Sequence, residues 1–121
     1  QCCLVGSEMC IRDRPILKKL NLPFTLFIST DVIDNNFSNY MNWDQIRELV
    51  DNGVLVGSQT KSHPHLHRLS GKQILNEIEY SNKRFIKELG FKPKLFAYPY
   101  GEYDNKTITC KTSNGFHWFN F

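Results

Sequence analysis

The sequence predicts an α/β fold built from parallel βα units. Short runs rich in β-branched and aromatic residues alternate along the chain with stretches of helical periodicity. The run Phe24-Thr25-Leu26-Phe27-Ile28-Ser29 is apolar at nearly every position, the pattern of a strand covered on both faces, as in a parallel sheet. Glycines close the helical stretches just before the next strand, at Gly53 and Gly90.

Taken in order, residues Gln1 to Arg14 show neither a sustained period nor a cap signal. The peptide Ser7 to Arg14 reads like translated adapter sequence, so residues 1–14 are expected to be a non-native or disordered lead segment outside the fold. Pro15 to Leu20 reads as the tail of a helix that Asn21-Leu22-Pro23 ends. After the Phe24 strand, Asp31 to Tyr40 is polar and reads as a loop. Asn42 and Gln45 form a box-like helix start, followed by Trp43, Ile46, Leu49 and Val50 at helical spacing. Val54 to Val56 is the next strand. Ser70 and Gln73 make a second capping box. It opens a helix of about five turns, with Ile74, Ile78, Phe85 and Leu89 on one face and Leu75 and Ile86 widening the stripe. Lys94 to Ala97 is a short strand, Asp104 or Asn105 caps a weak last helix, and Gly115 to Phe119 reads as one more strand.

With 121 residues the chain holds one domain at most. Its 40% apolar and 22% charged residues are those of an ordinary globular chain. The net charge of +3 is spread without a dense Lys/Arg run, which points away from nucleic acid. No apolar run is long enough for a transmembrane helix. Four cysteines, none in CxxC spacing, fit neither a disulfide framework nor a zinc knuckle.

Two loops carry the chemistry. The strand Val54-Leu55-Val56 runs into Gly57-Ser58-Gln59-Thr60-Lys61-Ser62-His63-Pro64-His65-Leu66-His67, which holds three of the four histidines. Phe96-Ala97-Tyr98-Pro99-Tyr100-Gly101 repeats the pattern of strand and tight turn. In a parallel α/β sheet both fall at the carboxyl edge, where such folds place their sites. A strand that delivers imidazoles into a loop suits a metal-assisted hydrolase.

These two segments resemble the polysaccharide deacetylase, or NodB-homology, family. The first is similar to its metal motif, His-Thr-x-Ser-His-Pro-x-Leu. The second is similar to its Arg-x-Pro-Tyr-Gly motif. About 80 residues are covered, and the two motifs are specific only together. The resemblance implies part of a distorted (β/α) barrel and a hydrolase of carbon–nitrogen bonds other than peptide bonds. It implies a glycan or acetylated amino-sugar substrate and a divalent, zinc-like metal in the parent protein. It makes His63 a metal ligand and the Tyr100 backbone N–H an oxyanion donor, with Tyr98, Pro99 and Tyr103 at the substrate.

The departures are specific. Gln59 stands where the family's first metal-binding histidine stands, and an amide oxygen is a weaker ligand than imidazole for zinc-like ions. Ala97 replaces the arginine of the later motif. The family's Asp-Asp pair is expected before Pro15, where none stands, and its last motifs beyond Phe121. Residues 15–121 are therefore expected to be a partial domain, inactive alone. The alternative is a non-catalytic carbohydrate-binding or scaffolding domain that has lost its metal.

Each residue also has a plainer reading. His63 is then a loop histidine bonded to backbone, Gln59 a packed polar residue, and His65 and His67 surface residues. His117 is incidental. Tyr98, Tyr100 and Tyr103 fill the rim rather than stack on sugar, Trp43 is core, and Asp31 and Asp34 are solvated loop acids.

Overall fold

The computed structural model describes residues 2–4, 19, 24–36 and 40–116. Strands β1 (Cys2–Leu4), β2 (Phe24–Ile28), β3 (Leu55–Ser58) and β4 (Leu95–Phe96) form one sheet in the order β1-β2-β3-β4. Every pairing is parallel, in the registers Cys2↔Phe24, Thr25↔Leu55 and Gly57↔Leu95. Neighbours in sequence are thus neighbours in space. That is the winding of a (β/α) barrel; a doubly wound sheet reverses its order at a switch point.

Helices α1 (Thr30–Asp34) and α2 (Trp43–Asp51) lie between β2 and β3, α3 (Gly71–Leu89) between β3 and β4, and α4 (Asn105–Ser113) after β4. The caps form as the sequence predicts. Asn42 with Gln45, and Ser70 with Gln73, each exchange side-chain and backbone hydrogen bonds. Gly90 closes α3 in the left-handed region at φ 79°, and Gly53 follows α2 at φ 85°. Asp104 caps α4.

All five residues of β2 are buried, so the strand is covered on both faces. On one side Phe24, Leu26 and Ile28 join Trp43, Ile46, Leu49, Val56 and Phe85 in a core beneath α2 and α3. A second core of Leu66, Ile74, Ile78, Phe96, Cys110 and Phe116 lies beneath α3 and α4. No helix among the described residues is long and apolar enough to cross a membrane.

Four differences from the sequence reading stand out. Cys2–Leu4, set outside the fold by that reading, pairs with β2 as a parallel strand, while the rest of segment 1–14 lies outside the described residues. The stretch read as a loop begins with α1. Its first two free N–H groups, on Thr30 and Asp31, donate to the carbonyls of Thr60 and Lys61 at 3.3 and 2.9 Å, a tertiary anchor with no local signal. Ile86 is exposed, because at 100° per residue it falls at the edge of the α3 stripe; the centre is completed by Ser81 and Asn82 instead. Asp34 is not a solvated acid. It accepts from Trp43 Nε1 at 2.8 Å and from Arg84 Nε at 2.9 Å, tying α1, α2 and α3 together. Of the helix tail at Pro15 to Leu20 only Lys19 is described, and it is helical; of the strand read at Gly115 to Phe119, Gly115 is a turn at φ 74° and Phe116 is irregular, while residues 117–119 lie outside the described residues.

Two outcomes are expected. In the β2–β3 register Gly57 faces Phe27, and a Cβ there would collide with the edge of that buried ring. Gly57→Ala should lower stability by about 1–3 kcal/mol, read from denaturant midpoints. Burial raises the Asp34 carboxyl, but the Arg84 and Trp43 hydrogen bonds outweigh it and hold the group below its ordinary 3.8. A carboxylate depressed in the folded state contributes stability above that value and loses it as pH falls further. Asp34→Asn should therefore lower Tm at neutral pH and flatten its decline in acid below about 3.8, as followed by circular dichroism.

Candidate functional site

β3 and β4 end side by side, and the last rung between them is the 2.9 Å bond from the Ala97 N–H to the Ser58 carbonyl. Beyond it each strand becomes a loop. The first loop is held from three directions. Gln59 N–H donates to the Ile28 carbonyl at 2.9 Å, and Ser29 Oγ donates to the Gln59 carbonyl at 2.9 Å. The α1 amides take Thr60 and Lys61. From α3, Glu77 accepts from both the N–H and the hydroxyl of Ser62, each at 2.9 Å. Within the loop the His63 N–H donates to Thr60 Oγ1 at 3.1 Å.

The second loop is a tight 3-10 turn, Pro99–Gly101, with Pro99 buried at its start. Gly101 N–H donates to the Tyr98 carbonyl at 3.0 Å and Glu102 N–H to the Pro99 carbonyl at 3.2 Å. Thr60, His63 and Tyr100 hold positive φ values of 70°, 58° and 59°. Such backbone is uncommon for residues with a Cβ, most of all for β-branched Thr60, and tends to collect at functional loops.

The two loops converge. The His63 ring meets the Tyr100 ring edge-on, with centroids 4.7 Å apart. His65 stacks on Tyr100 at 4.0 Å with 11° between planes. Glu102 Oε2 is hydrogen-bonded to His65 Nδ1 at 2.7 Å, and His67 Nδ1 approaches the same oxygen to 3.1 Å without hydrogen-bond geometry. The His65 hydrogen bond holds the Glu102 carboxyl below its ordinary value. Burial holds the His63 imidazole below its ordinary value, which keeps the ring neutral near pH 7.

His63 and Tyr100 are thus brought together, as the motif spacing predicts. Gln59 is 1% exposed, and neither polar atom of its side chain has a hydrogen-bond partner among the described residues. The aromatic candidates divide. The Tyr100 and Tyr103 rings are exposed. Tyr98 is half-buried between Phe96 and Tyr103, with its hydroxyl buried and its pKa raised by that burial. Pro99 is buried and shapes the turn. Asp31 is raised by burial and feels Lys61 and Glu77 rather than the histidines, and Asp34 is engaged with Arg84.

The sequence reading missed Glu102 and the joint role of His65 and His67. The i,i+2 spacing becomes convergent only because the 3-10 turn Leu66–Arg68 follows Pro64, and Glu102 arrives from 37 residues away from His65. An acid directly after the Pro-Tyr-Gly turn was the one available signal.

The metal implied by the family motif can be tested against these donors. Zinc-like ions in catalytic sites take three protein ligands, normally imidazole, thiolate or carboxylate. Gln59 and His63 offer one neutral amide oxygen and one imidazole. Among the described residues His63 belongs to no group of three such ligands; the group that exists is His65, His67 and Glu102. Among the described residues the motif position thus supplies two donors, one of them an amide, and not the three that such an ion takes.

The grip of α3 on the loop gives an expected outcome. Glu77→Ala removes both Ser62 bonds, and amide exchange at Ser62 and His63 should rise roughly tenfold with little change in global melting, as hydrogen–deuterium exchange would read.

A family model for polysaccharide deacetylases matches residues 8–119. Over 88 residues the chain is 33% identical to a chitin deacetylase of Colletotrichum lindemuthianum, covering 70% of this chain and 34% of that protein. Its fold resembles a family 4 carbohydrate esterase of Streptomyces lividans solved in complex with acetate (TM-score 0.74, 26% identity, 93% of this chain and 55% of that one). It also resembles a CE4 family pseudoenzyme of Bacillus anthracis (TM-score 0.76, 22% identity, 95% and 39%), which speaks to fold alone. These neighbours share the NodB-like α/β barrel to which the four parallel strands correspond. The chain spans about a third of the length of the curated relatives it matches.

Proposed function

The chain belongs to the polysaccharide deacetylase family, and from that premise we propose that it is the substrate-facing part of a hydrolase that removes acetyl groups from an amino-sugar glycan. The observation that carries the reading is the 4.7 Å approach of His63 to Tyr100, which brings the loops at the ends of two separate strands into contact. In this proposal the exposed faces of Tyr100 and Tyr103 take the apolar side of a pyranose. The left-handed turn at Tyr100 sets the direction of its backbone N–H, the proposed donor to the oxyanion of a tetrahedral intermediate. Buried Pro99 and the Tyr98 ring hold that turn still, since a donor displaced by an ångström loses most of its effect. A neutral His63 beside the turn can accept a proton or orient water.

In this family a zinc-like divalent metal would polarise the acetyl carbonyl, and the proposed ligands Gln59 and His63 do not supply its donor set. The 121-residue chain alone is therefore expected to release no acetate from acetylated chitooligosaccharides. A chain extended to the length of the relatives is expected to do so. Enzymatic acetate assay of both decides it; release by the short chain would overturn this account of the site.

A second reading, a glycan-binding domain without catalysis, is favoured by two observations. The amide of Gln59 is buried without hydrogen-bond partners among the described residues where the family has a histidine, and buried Ala97 leaves no arginine. On this reading the extended chain is silent but binds chitooligosaccharide, and Gln59→His gains acetate release with added zinc. Acetate release by the unsubstituted extended chain excludes it.

A further inference from the structure

We propose that His65, His67 and Glu102 form a binding site for a borderline divalent transition cation of the zinc class, separate from the motif position of Gln59 and His63. The Nδ1 atoms of both histidines and a Glu102 oxygen all lie within 4.8 Å of one another. Both nitrogens already converge on the same oxygen, at 2.7 and 3.1 Å. Donors bound at about 2.0–2.2 Å in a tetrahedral shell sit roughly 3.4 Å apart, so only small side-chain movements separate this cluster from a three-ligand site. Two imidazoles and a carboxylate are the donor types that zinc-class ions take, whereas magnesium and calcium seek oxygen shells.

The cluster is also held in place before any ion arrives. His65 is pressed flat against the Tyr100 ring. His67 sits in the 3-10 turn Leu66–Arg68, anchored by fully buried Leu66. Glu102 directly follows the Pro99–Gly101 turn, and its N–H is bonded back to the Pro99 carbonyl. The three side chains are between 35% and 41% exposed, and His67 Nδ1, itself buried, has no hydrogen bond among the described residues, so a donor stands unused at the centre of the cluster. Two of the donors come from the loop after β3 and one from the loop after β4. A bound ion would therefore clasp the two loops together, and an ion that binds only the folded state raises its stability.

The test reads binding, not deacetylation. Zinc is titrated calorimetrically into the 121-residue chain freed of any histidine tag, with excess magnesium present. One zinc per chain is expected, together with a rise in Tm. His67→Ala and Glu102→Ala should each weaken binding at least tenfold, and His63→Ala should leave it unchanged. No zinc binding, or binding lost on His63→Ala, overturns the proposal. Should a variant fail to fold, histidine ring resonances of the unsubstituted chain decide: zinc should perturb those of His65 and His67 and leave that of His63 in place, and the reverse pattern overturns the proposal. Because the motif metal and acetate release are not read, failure here leaves the deacetylase reading standing, and failure of that reading leaves this site standing.

Discussion

The bond from the Ala97 N–H to the Ser58 carbonyl is a single rung, yet the site depends on it. β4 has only two residues, so this rung and the short register Gly57↔Leu95 and Ser58↔Phe96 are what fix one strand end beside the other. Parallel pairing makes both loops leave the sheet in the same direction. An antiparallel β4 would send the Pro99–Gly101 turn to the opposite edge, and the Tyr100 ring could meet neither His63 nor His65. The close approach of β2 to β3 belongs to the same constraint. The Phe27 ring occupies the space above Gly57, so β3 passes near enough for Gln59 to bond back to Ile28.

Beyond that rung the backbone is strained and must be held. Three residues with side chains sit at positive φ within the two loops, each costing on the order of 1–3 kcal/mol. The restraints come from elements that are themselves fixed by the cores. α1 clamps the loop through two amide bonds, α3 holds Ser62 through Glu77, and Ser29 takes the Gln59 carbonyl. The ion pair between Asp34 and Arg84 ties α1 to α3, so the two clamps act from one rigid frame. The strain at Thr60 and His63 is thus balanced by contacts that lie away from the ring it positions.

What was legible in the sequence was local. Both capping boxes, the glycines after α2 and α3, and the double-sided burial of β2 each have a signal within a few residues, and each forms as read. The convergence of His63 and Tyr100 followed from one non-local rule, that parallel strands open their loops at a shared edge. What escaped were contacts whose partners are far apart in sequence. α1 is a five-residue helix whose first amides are satisfied by Thr60 and Lys61. Ser81 and Asn82 break an apolar stripe because Ser81 meets Ser58 Oγ at 3.0 Å across the barrel wall. Glu102 acquires a role only when two histidines from another loop arrive beside it.

Gln59 brings these threads together. A buried side-chain amide with no partner costs about 1–3 kcal/mol for its stranded polar atoms, and a packed loop could avoid that with an aliphatic residue. In the family motif this position carries an imidazole that an ion would satisfy. An amide retains the polarity of that position without the donor strength. Two and four residues past His63, the same loop places two imidazoles near one carboxylate from the other loop, with donor atoms within 4.8 Å of one another. Gln59 stands at the buried end of the loop, and the His65–His67–Glu102 cluster at its half-exposed end. The two ends lie on opposite sides of His63, and the rings of His63 and His65 share Tyr100 as their neighbour.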